Sequence, residues 1–320
     1  MKVLITATKS KYMAYGTEGR KLLEDKGYEL IYNETGKKRI PREVLETILP
    51  DLDAVIVSAD RWDEEMFRLA PKLKIIAKYG VGVDNIDCEK AREYGIKVTN
   101  AKGGNSQAVA ELAVTLILCA LRRVPMLDSK AKETGWFRYM GRELHGKTVG
   151  LLGFGDIGQR VAGIVAAFGS RVIAYDPYPN VEKAKHLKVE LKTMDEVLAC
   201  SDIVSIHMPA LPETEHIMNG ETFLRMRDGA YFINTARGSL VDEDALCDAL
   251  DSGKLSGAAI DVFAKEPLLG DERVLHTEGL ITIPHAGAET QEAYGMVSLL
   301  TAQSVIDVLE GRTPENWVNR

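Results

Sequence analysis

The sequence predicts an α/β architecture of two doubly wound parallel-sheet domains, on three observations. Short apolar strands alternate with amphipathic helical stretches along almost the whole chain, and β-α repeats of this kind place helices on both faces of a parallel sheet. At 320 residues the chain is longer than one core commonly fills, so about two domains are expected. After a glycine-rich strand–turn–helix near the middle of the chain, at Thr148–Gly158, the strand signals start again and build a second sheet.

That stretch, Thr148-Val-Gly-Leu-Leu-Gly-Phe-Gly-Asp-Ile-Gly158, reads as a strand from Thr148 to Leu152 running into Gly153-Phe-Gly155-Asp156-Ile157-Gly158 and then into a helix. Each glycine has its own task. Gly153 makes the tight turn, Gly155 lets a pyrophosphate approach the backbone, and Gly158 lets helix and strand pack closely. The helix N-terminus offers free N–H groups and a partial positive charge to phosphates. A second strand, Arg171–Tyr175, ends on Asp176, 18 residues after Gly158, where a carboxylate can accept hydrogen bonds from the adenosine ribose. It would repel a 2′-phosphate, so NAD rather than NADP is the expected cofactor. A lone Gly-x-Gly-x-x-Gly arises often by chance, and it is the strand–turn–helix–strand–Asp context that gives this one meaning.

Composition narrows the function classes. The chain is 45% hydrophobic and 27% charged, and its net charge of −7 opposes binding to nucleic acid or an anionic membrane. Met1–Thr8 is too short for a secretory apolar region, and the run from Leu112 to Leu121 is about half of what a bilayer requires. Cys88, Cys119, Cys200 and Cys247 are far apart, with no histidine at ligand spacing. They are expected to be reduced, packed thiols of a cytoplasmic protein without a metal site.

In chain order, strands are predicted at Val3–Ala7, Glu29–Tyr32, Ala54–Val57, Leu73–Ala77 and Lys97–Thr99, with helices closing at Gly27 and Gly95. Ligands then belong at the C-terminal strand ends. One such end, Lys78-Tyr-Gly80-Val81-Gly82-Val-Asp-Asn-Ile-Asp87, reads equally as an anion nest for a carboxylate or as a tight loop with Asp87 capping the next helix. Asn105–Val124 opens on a capping residue and is apolar almost all round, which predicts a buried helix crossing between domains and touching a second subunit. Thr134–Met140 carries aromatic side chains of the kind enriched at interfaces, and a loop packed on its own domain explains them almost as well. Further strands are predicted at Lys188–Leu191, Ile203–Ile206, Ala230–Ile233, Gly257–Ile260 and Leu280–Ile283. The last helix, Glu289–Glu310, has apolar positions Met296, Leu299, Leu300, Val305, Val308 and Leu309. No strand follows it, so it is expected to pack back on the first domain. The domains are therefore residues 1–101 plus 290–320 and residues 102–289, with two chain crossings forming a hinge over a cleft.

Three strand ends of the second domain carry reactive groups: Asn234-Thr235-Ala236-Arg237-Gly238, Asp261 through Glu266-Pro267, and Pro284-His285-Ala286-Gly287. A guanidinium can hold a carboxylate by two parallel hydrogen bonds, which suits Arg237 to a substrate acid. A hydride leaves a secondary alcohol efficiently only if the hydroxyl proton leaves too, and a base titrating near neutrality, His285, is the natural choice. Glu266 would bond the other ring nitrogen and raise the imidazole pKa. Seen singly, each has a plainer reading: a surface ion pair for Arg237, a solvated loop residue for Glu266, a turn residue for His285. His145, His186, His216 and His276 take the plain reading. His207, before Met208-Pro209 at a strand end, is read equally as facing a nicotinamide or as packed.

These motifs, in this order and over nearly the full chain, resemble those of the D-isomer-specific 2-hydroxyacid dehydrogenases. The resemblance implies a flavodoxin-like substrate domain and a Rossmann NAD-binding domain, and a homodimer acting on a small 2-hydroxy or 2-oxo acid. Site roles follow from it: Arg237 as substrate ligand, Glu266 as partner of His285, His285 as acid/base, Asp261 on the nicotinamide carboxamide, and backbone amides of Val81 and Gly82 on the substrate carboxylate. Gly153, Gly155, Asp156, Ile157, Gly158, Asp176, His207, Pro209, Thr235, Ala236 and Gly287 would line the cofactor. Formate dehydrogenases on this fold pair the histidine with glutamine, so Glu266 argues against that branch. The phosphoglycerate dehydrogenases are nearest in look, with two departures. The chain stops at Arg320, so no C-terminal regulatory domain is expected, and Lys78 stands where some of them place an arginine for the phosphate. Glyoxylate/hydroxypyruvate reductases are the alternative enzyme. An NAD-sensing co-regulator is the alternative of another class, and turnover of a 2-oxo acid separates the two.

Overall fold

The computed structural model describes all 320 residues. In chain order its elements begin β1 (Lys2–Thr8), α1 (Lys9–Tyr15), α2 (Thr17–Asp25), β2 (Glu29–Asn33), α3 (Arg42–Ile48), β3 (Ala54–Val57), α4 (Glu64–Leu69), β4 (Ile75–Lys78), α5 (Cys88–Glu93) and β5 (Lys97–Asn100). There follow α6 (Ser106–Arg122), α7 (Val124–Thr134), β6 (Thr148–Leu152), α8 (Asp156–Ala167), β7 (Arg171–Tyr175), α9 (Val181–Leu187), β8 (Glu190–Leu191), α10 (Met194–Cys200) and β9 (Ile203–Ile206). The chain closes with α11 (Gly220–Arg225), β10 (Ala230–Asn234), α12 (Glu243–Asp251), β11 (Leu255–Ile260), β12 (Leu280–Thr282) and α13 (Gln291–Leu309). Two compact units result, Met1–Asn105 with Ala288–Arg320, and Ser106–Gly287.

The first unit is a five-stranded parallel sheet in the order β2-β1-β3-β4-β5, the flavodoxin-like order. Alternate residues of each strand enter opposite cores. Leu4, Val55, Ile76 and Val98 pack with Trp62 and Phe67, and Val3, Ile5, Ile56 and Ile75 pack with Tyr12, Leu23, Val305 and Ile306. The last two come from α13, which lies along α2 and beneath β4. The approach is close because the facing residues are small. A Cβ on Gly19 would stand 2.2 Å from the Ser298 carbonyl oxygen, and Ser298, Thr301 and Ala302 are buried. Met296, counted among the apolar positions of this helix, is instead 48% exposed, since the inward face is built from these small side chains. The fourth strand begins at Ile75, because the Leu73 N–H still closes a turn onto the Ala70 carbonyl.

The second unit is a seven-stranded parallel sheet, β12-β11-β10-β9-β6-β7-β8. Read from β8 it follows the Rossmann order with one strand added, and the order reverses between β6 and β9. Register aligns the C-terminal edge: Leu152 pairs with Ile206, Ile206 with Asn234, Asn234 with Ile260, and Ile260 with Thr282. The residues just beyond, from Gly153 to Ile283, therefore form one row. Helix α6 packs on α8, β10 and β11 through Ala110, Ala113, Leu116 and Ile117. Its expected capping by Asn105 is absent: the Asn105 Oδ1 is buried without a partner. The strand predicted at Lys188–Leu191 shortens to Glu190–Leu191 because Lys188, with φ 55°, ends α9 in the left-handed region. All four cysteines are free, but Cys200 is exposed rather than packed, lying at the last turn of α10. No helix is long and apolar enough to cross a membrane.

Candidate active site

The glycine turn after β6 divides its work residue by residue. Gly153 has φ 101°, and a Cβ there would stand 2.7 Å from the carbonyl carbon and oxygen of His207. A Cβ on Gly158 would lie 2.3 Å from the Gly153 oxygen, so turn and helix touch at that point. Above Gly155 nothing lies within 4 Å of a Cβ position, which leaves the backbone open to a ligand. Helix α8 starts there, with Gly155 as N-cap and no side chain capping it, so the N–H groups of its first turn, at Asp156, Ile157 and Gly158, have no side-chain cap. Asp176 reaches back across the strand ends. Its Oδ2 accepts from the Phe154 N–H at 2.7 Å and its Oδ1 from the Tyr178 N–H at 2.8 Å, leaving further lone pairs on both oxygens.

At the end of β9, the His207 N–H bonds the Leu152 carbonyl at 2.7 Å and the ring Nε2 meets the Ser205 hydroxyl at 3.0 Å. Burial pushes the imidazole pKa down to about 4, so the ring is neutral at ordinary pH. Its Nδ1 is buried without a partner, as is the Thr235 hydroxyl further along the row. Pro209 follows, its carbonyl taken by the Thr214 hydroxyl at 2.8 Å. Buried polar atoms are seldom left unpaired. Two in one row, beside open backbone and an uncapped helix, fit an elongated polar ligand such as a dinucleotide.

Next to them stand the three reactive segments. Asn234 closes the first turn: its Oδ1 accepts from the Ala236 N–H at 2.9 Å, and its Nδ2 donates to the Arg237 carbonyl at 2.8 Å. Gly238 presses on the second segment so closely that a Cβ would fall 1.9 Å from the Phe263 carbonyl carbon. That segment is tied down by two carboxylates. The Phe263 N–H donates to Glu266 Oε1 at 3.1 Å and the Ala264 N–H to Glu243 Oε1 at 2.7 Å; burial raises the Glu243 pKa. Glu266, before a cis proline, brings its other oxygen to 2.8 Å from His285 Nδ1.

His285 has φ 52°, in the left-handed region that a histidine seldom occupies. Asp261 holds it there. The Asp261 carbonyl accepts from the His285 N–H at 2.8 Å, and its two carboxylate oxygens accept from the N–H groups of Ala286 and Gly287 at 2.7 and 2.9 Å. Burial raises the Asp261 pKa, and those two bonds partly offset it. The supporting roles of Asn234, Glu243 and Asp261 were not foreseen. An Asn just past a strand is a recognisable turn former, but nothing local in the sequence marks Glu243.

The remaining expected residues belong to the first unit. Val81 and Gly82, beyond β4, give their N–H groups to no acceptor of the chain, while Asp87 caps α5 through the Lys90 N–H at 3.0 Å. Both readings of this loop thus find support. The Lys78 ammonium donates to the Ser58 carbonyl at 2.5 Å and to Asn85 Oδ1 at 2.7 Å, and Asn85 Nδ2 donates to the Asp60 carbonyl at 2.5 Å. Asp60 itself is turned inward, accepting from the Ile40 N–H at 2.7 Å.

The family model for the D-isomer specific 2-hydroxyacid dehydrogenase, NAD binding domain, matches residues 114–287. A D-3-phosphoglycerate dehydrogenase of Archaeoglobus fulgidus is 40% identical over 286 residues, 88% of this chain and 54% of that protein. One from Rattus norvegicus is 37% identical over 303 residues, 94% of this chain and 56% of that protein. The chain thus spans about half the length of these curated relatives. Among solved structures, a D-2-hydroxyisocaproate dehydrogenase is similar over all of both chains, with a TM-score of 0.87 and 27% identity. A protein of Thermus thermophilus reaches 0.89 with 34% identity over 99% of this chain and all of its own. With the dinucleotide crevice and the supported imidazole–carboxylate pair already evident in its fold, the chain belongs to the D-isomer specific 2-hydroxyacid dehydrogenase family.

Proposed function

We propose that the chain interconverts a D-2-hydroxy acid and its 2-oxo acid with NAD, and that its substrate is of the phosphoglycerate type. The observation that carries this reading is the His285 imidazole held 2.8 Å from Glu266 on the same strand-end row as the glycine turn and Arg237. NAD would be held by Gly153, Gly155, Asp156, Ile157 and Gly158 at its pyrophosphate and by Asp176 at its ribose. His207, Pro209, Thr235, Ala236, Asp261 and Gly287 would line its other end. When bound, it supplies the ring carbon that takes or gives the hydride.

The chain's own residues do the rest. With Nδ1 committed to Glu266, His285 takes the substrate hydroxyl proton at Nε2 during oxidation and returns it during reduction. Glu266 keeps the ring in one orientation. Arg237 holds the carboxylate or carbonyl oxygen and so fixes which face of the substrate is presented. The unpaired N–H groups of Val81 and Gly82 would bind the substrate carboxylate, and Lys78 would add positive charge for its far end. Residues 1–101 with 290–320 then act as the substrate domain and residues 102–289 as the NAD domain. A homodimer is also proposed, supported by Trp136, Phe137 and Met140, which are 76%, 46% and 92% exposed. Four free cysteines favour a cytoplasmic setting.

His285→Ala tests the reading. NADH binding, followed by fluorescence, should stay within about threefold, while kcat falls by roughly 10²–10⁴, the range for a lost general acid/base. A variant keeping most of its turnover would overturn the assignment. Kinetics with phosphohydroxypyruvate, hydroxypyruvate and glyoxylate decide the substrate class. A preference for the unphosphorylated acids would displace the phosphoglycerate reading.

A further inference from the structure

The two sheets protect their edges unequally. In the seven-stranded sheet the outer strands are short, β12 with three residues and β8 with two, which leaves little backbone to recruit another chain. In the five-stranded sheet the outer side of β5 is covered by the C-terminal tail. The Val318 N–H donates to the Val98 carbonyl at 2.8 Å, and the Val98 N–H donates to Asn319 Oδ1 at 2.8 Å. The opposite edge, β2, is five residues long and has no such cover. Its Glu29 N–H turns inward to the Met1 carbonyl at 2.9 Å, so by alternation the N–H and C=O groups of Leu30 and Tyr32 point outward. They bond nothing in the chain.

Beside this edge runs a groove of about 570 Å³ whose apolar walls include Ile31, Ile40, Val44 and Ile48. Leu30, Ile31 and Tyr32 are only half-buried, and Val44 is 37% exposed. Glu29 is exposed at the start of the strand. Lys37, also exposed, is kept at its end, because Asn33 Nδ2 donates to the Lys37 carbonyl at 2.9 Å. Neither Glu29 nor Lys37 enters an ion pair within the chain. Opposite charges at the two ends of one edge complement the same edge turned end for end.

From this we infer that two copies of the chain join edge to edge through β2, antiparallel, about a twofold axis at Ile31. Such a contact is self-complementary. Leu30 of each copy faces Tyr32 of the other, and the two exchange N–H···O=C bonds in both directions. Ile31 meets its own counterpart across the axis, beside the apolar groove. Glu29 of each copy stands opposite Asn33 of the other and so next to its Lys37. The contact involves the first unit alone, is additional to the one proposed through Trp136, Phe137 and Met140, and does not depend on the dehydrogenase reading.

Sedimentation velocity of the full chain at micromolar concentration tests it. The parent sediments at twice the mass of Leu30→Pro, which removes an outward N–H at a position where an edge strand tolerates proline. Reversing one charge, by Glu29→Lys or Lys37→Glu, acts twice across the axis and raises the dissociation constant of the edge contact by about tenfold. The double variant Glu29→Lys/Lys37→Glu restores it. Both side chains are exposed, so the charge variants keep the parent's Tm and decide the matter even where Leu30→Pro fails to fold. Hydrogen exchange reads the bonds themselves: the Leu30 and Tyr32 amides are protected in the parent and exchange faster in Glu29→Lys. Equal masses for the parent and all variants overturn the inference and leave the edge to an extended segment of another protein. Single reversals that the double variant does not rescue overturn the antiparallel pairing.

Discussion

Gly238→Ala tests the proposed coupling between the substrate arginine and the acid/base pair. The new Cβ would stand 1.9 Å from the Phe263 carbonyl carbon, 2.2 Å from its oxygen and 2.3 Å from the Ala264 nitrogen. Ordinary contact begins near 3.4 Å, so one backbone must retreat by about 1.5 Å. If the Phe263–Ala264 side moves, it strains the bonds to Glu266 at 3.1 Å and to Glu243 at 2.7 Å. If the Gly238 side moves, Arg237 moves with it. Overpacking costs about 1–3 kcal/mol, and weakening a hydrogen bond to a charged group adds about 1.5 kcal/mol. A loss of roughly 3–4 kcal/mol follows, which for a domain of this size lowers Tm by about 6–16 °C. Misplacing a reacting group by 1 Å can cost about 10²-fold in rate, so kcat/KM should fall by about that factor at temperatures where the variant is folded. Scanning calorimetry and steady-state kinetics on the purified variant measure the two effects. A Tm within about 2 °C of the parent together with kcat/KM within about threefold would refute the coupling, since either backbone shift must disturb one of the two groups.

Two further outcomes are expected. His207 is held to a pKa of about 4 against an ordinary 6.5; because the unfolded chain binds that proton first, its stabilising effect is complete above pH 6.5 and is lost as pH falls toward 4, by up to about 3 kcal/mol. Urea unfolding of His207→Asn against the parent should show their stability difference shifting by that amount across the window, and parallel curves would dismiss the effect. Asp176→Ser, which removes the charge facing a 2′-phosphate, should raise the NADP to NAD ratio of kcat/KM at least tenfold, whereas a parent enzyme already indifferent to the two cofactors would sink the argument from the carboxylate.

Much of this was legible because the deciding physics is local. Strands buried on both faces read as uninterrupted apolar runs, and β6 and β7 begin and end at the predicted residues, Thr148–Leu152 and Arg171–Tyr175. The three glycines were separable by steric demand alone: a positive φ at Gly153, open space at Gly155 and a 2.3 Å approach at Gly158. What could not be read was whatever one segment does to another. Met296 has the right side chain for a buried helix face, but α2 approaches through Gly19 and admits only small residues opposite it. Asn105 is a good capping residue by type, yet its oxygen finds no N–H. Glu243 supports Ala264 from 21 positions away, a pairing that exists only once β10 and β11 are adjacent.

The same distinction explains why the site uses two carboxylates where the chemistry names one. Glu266 bonds the imidazole itself, and its side chain is 32% exposed. Asp261 is 1% exposed and addresses only the backbone around that imidazole. A histidine at φ 52° would relax if nothing opposed it, and the N–H groups of Ala286 and Gly287 are what the buried carboxylate grips. An uncharged acceptor in that place would bind them more weakly. The burial that raises the Asp261 pKa therefore accompanies a fixed geometry: one carboxylate stays partly accessible beside the imidazole, and the other is kept dry to hold the backbone that carries the ring.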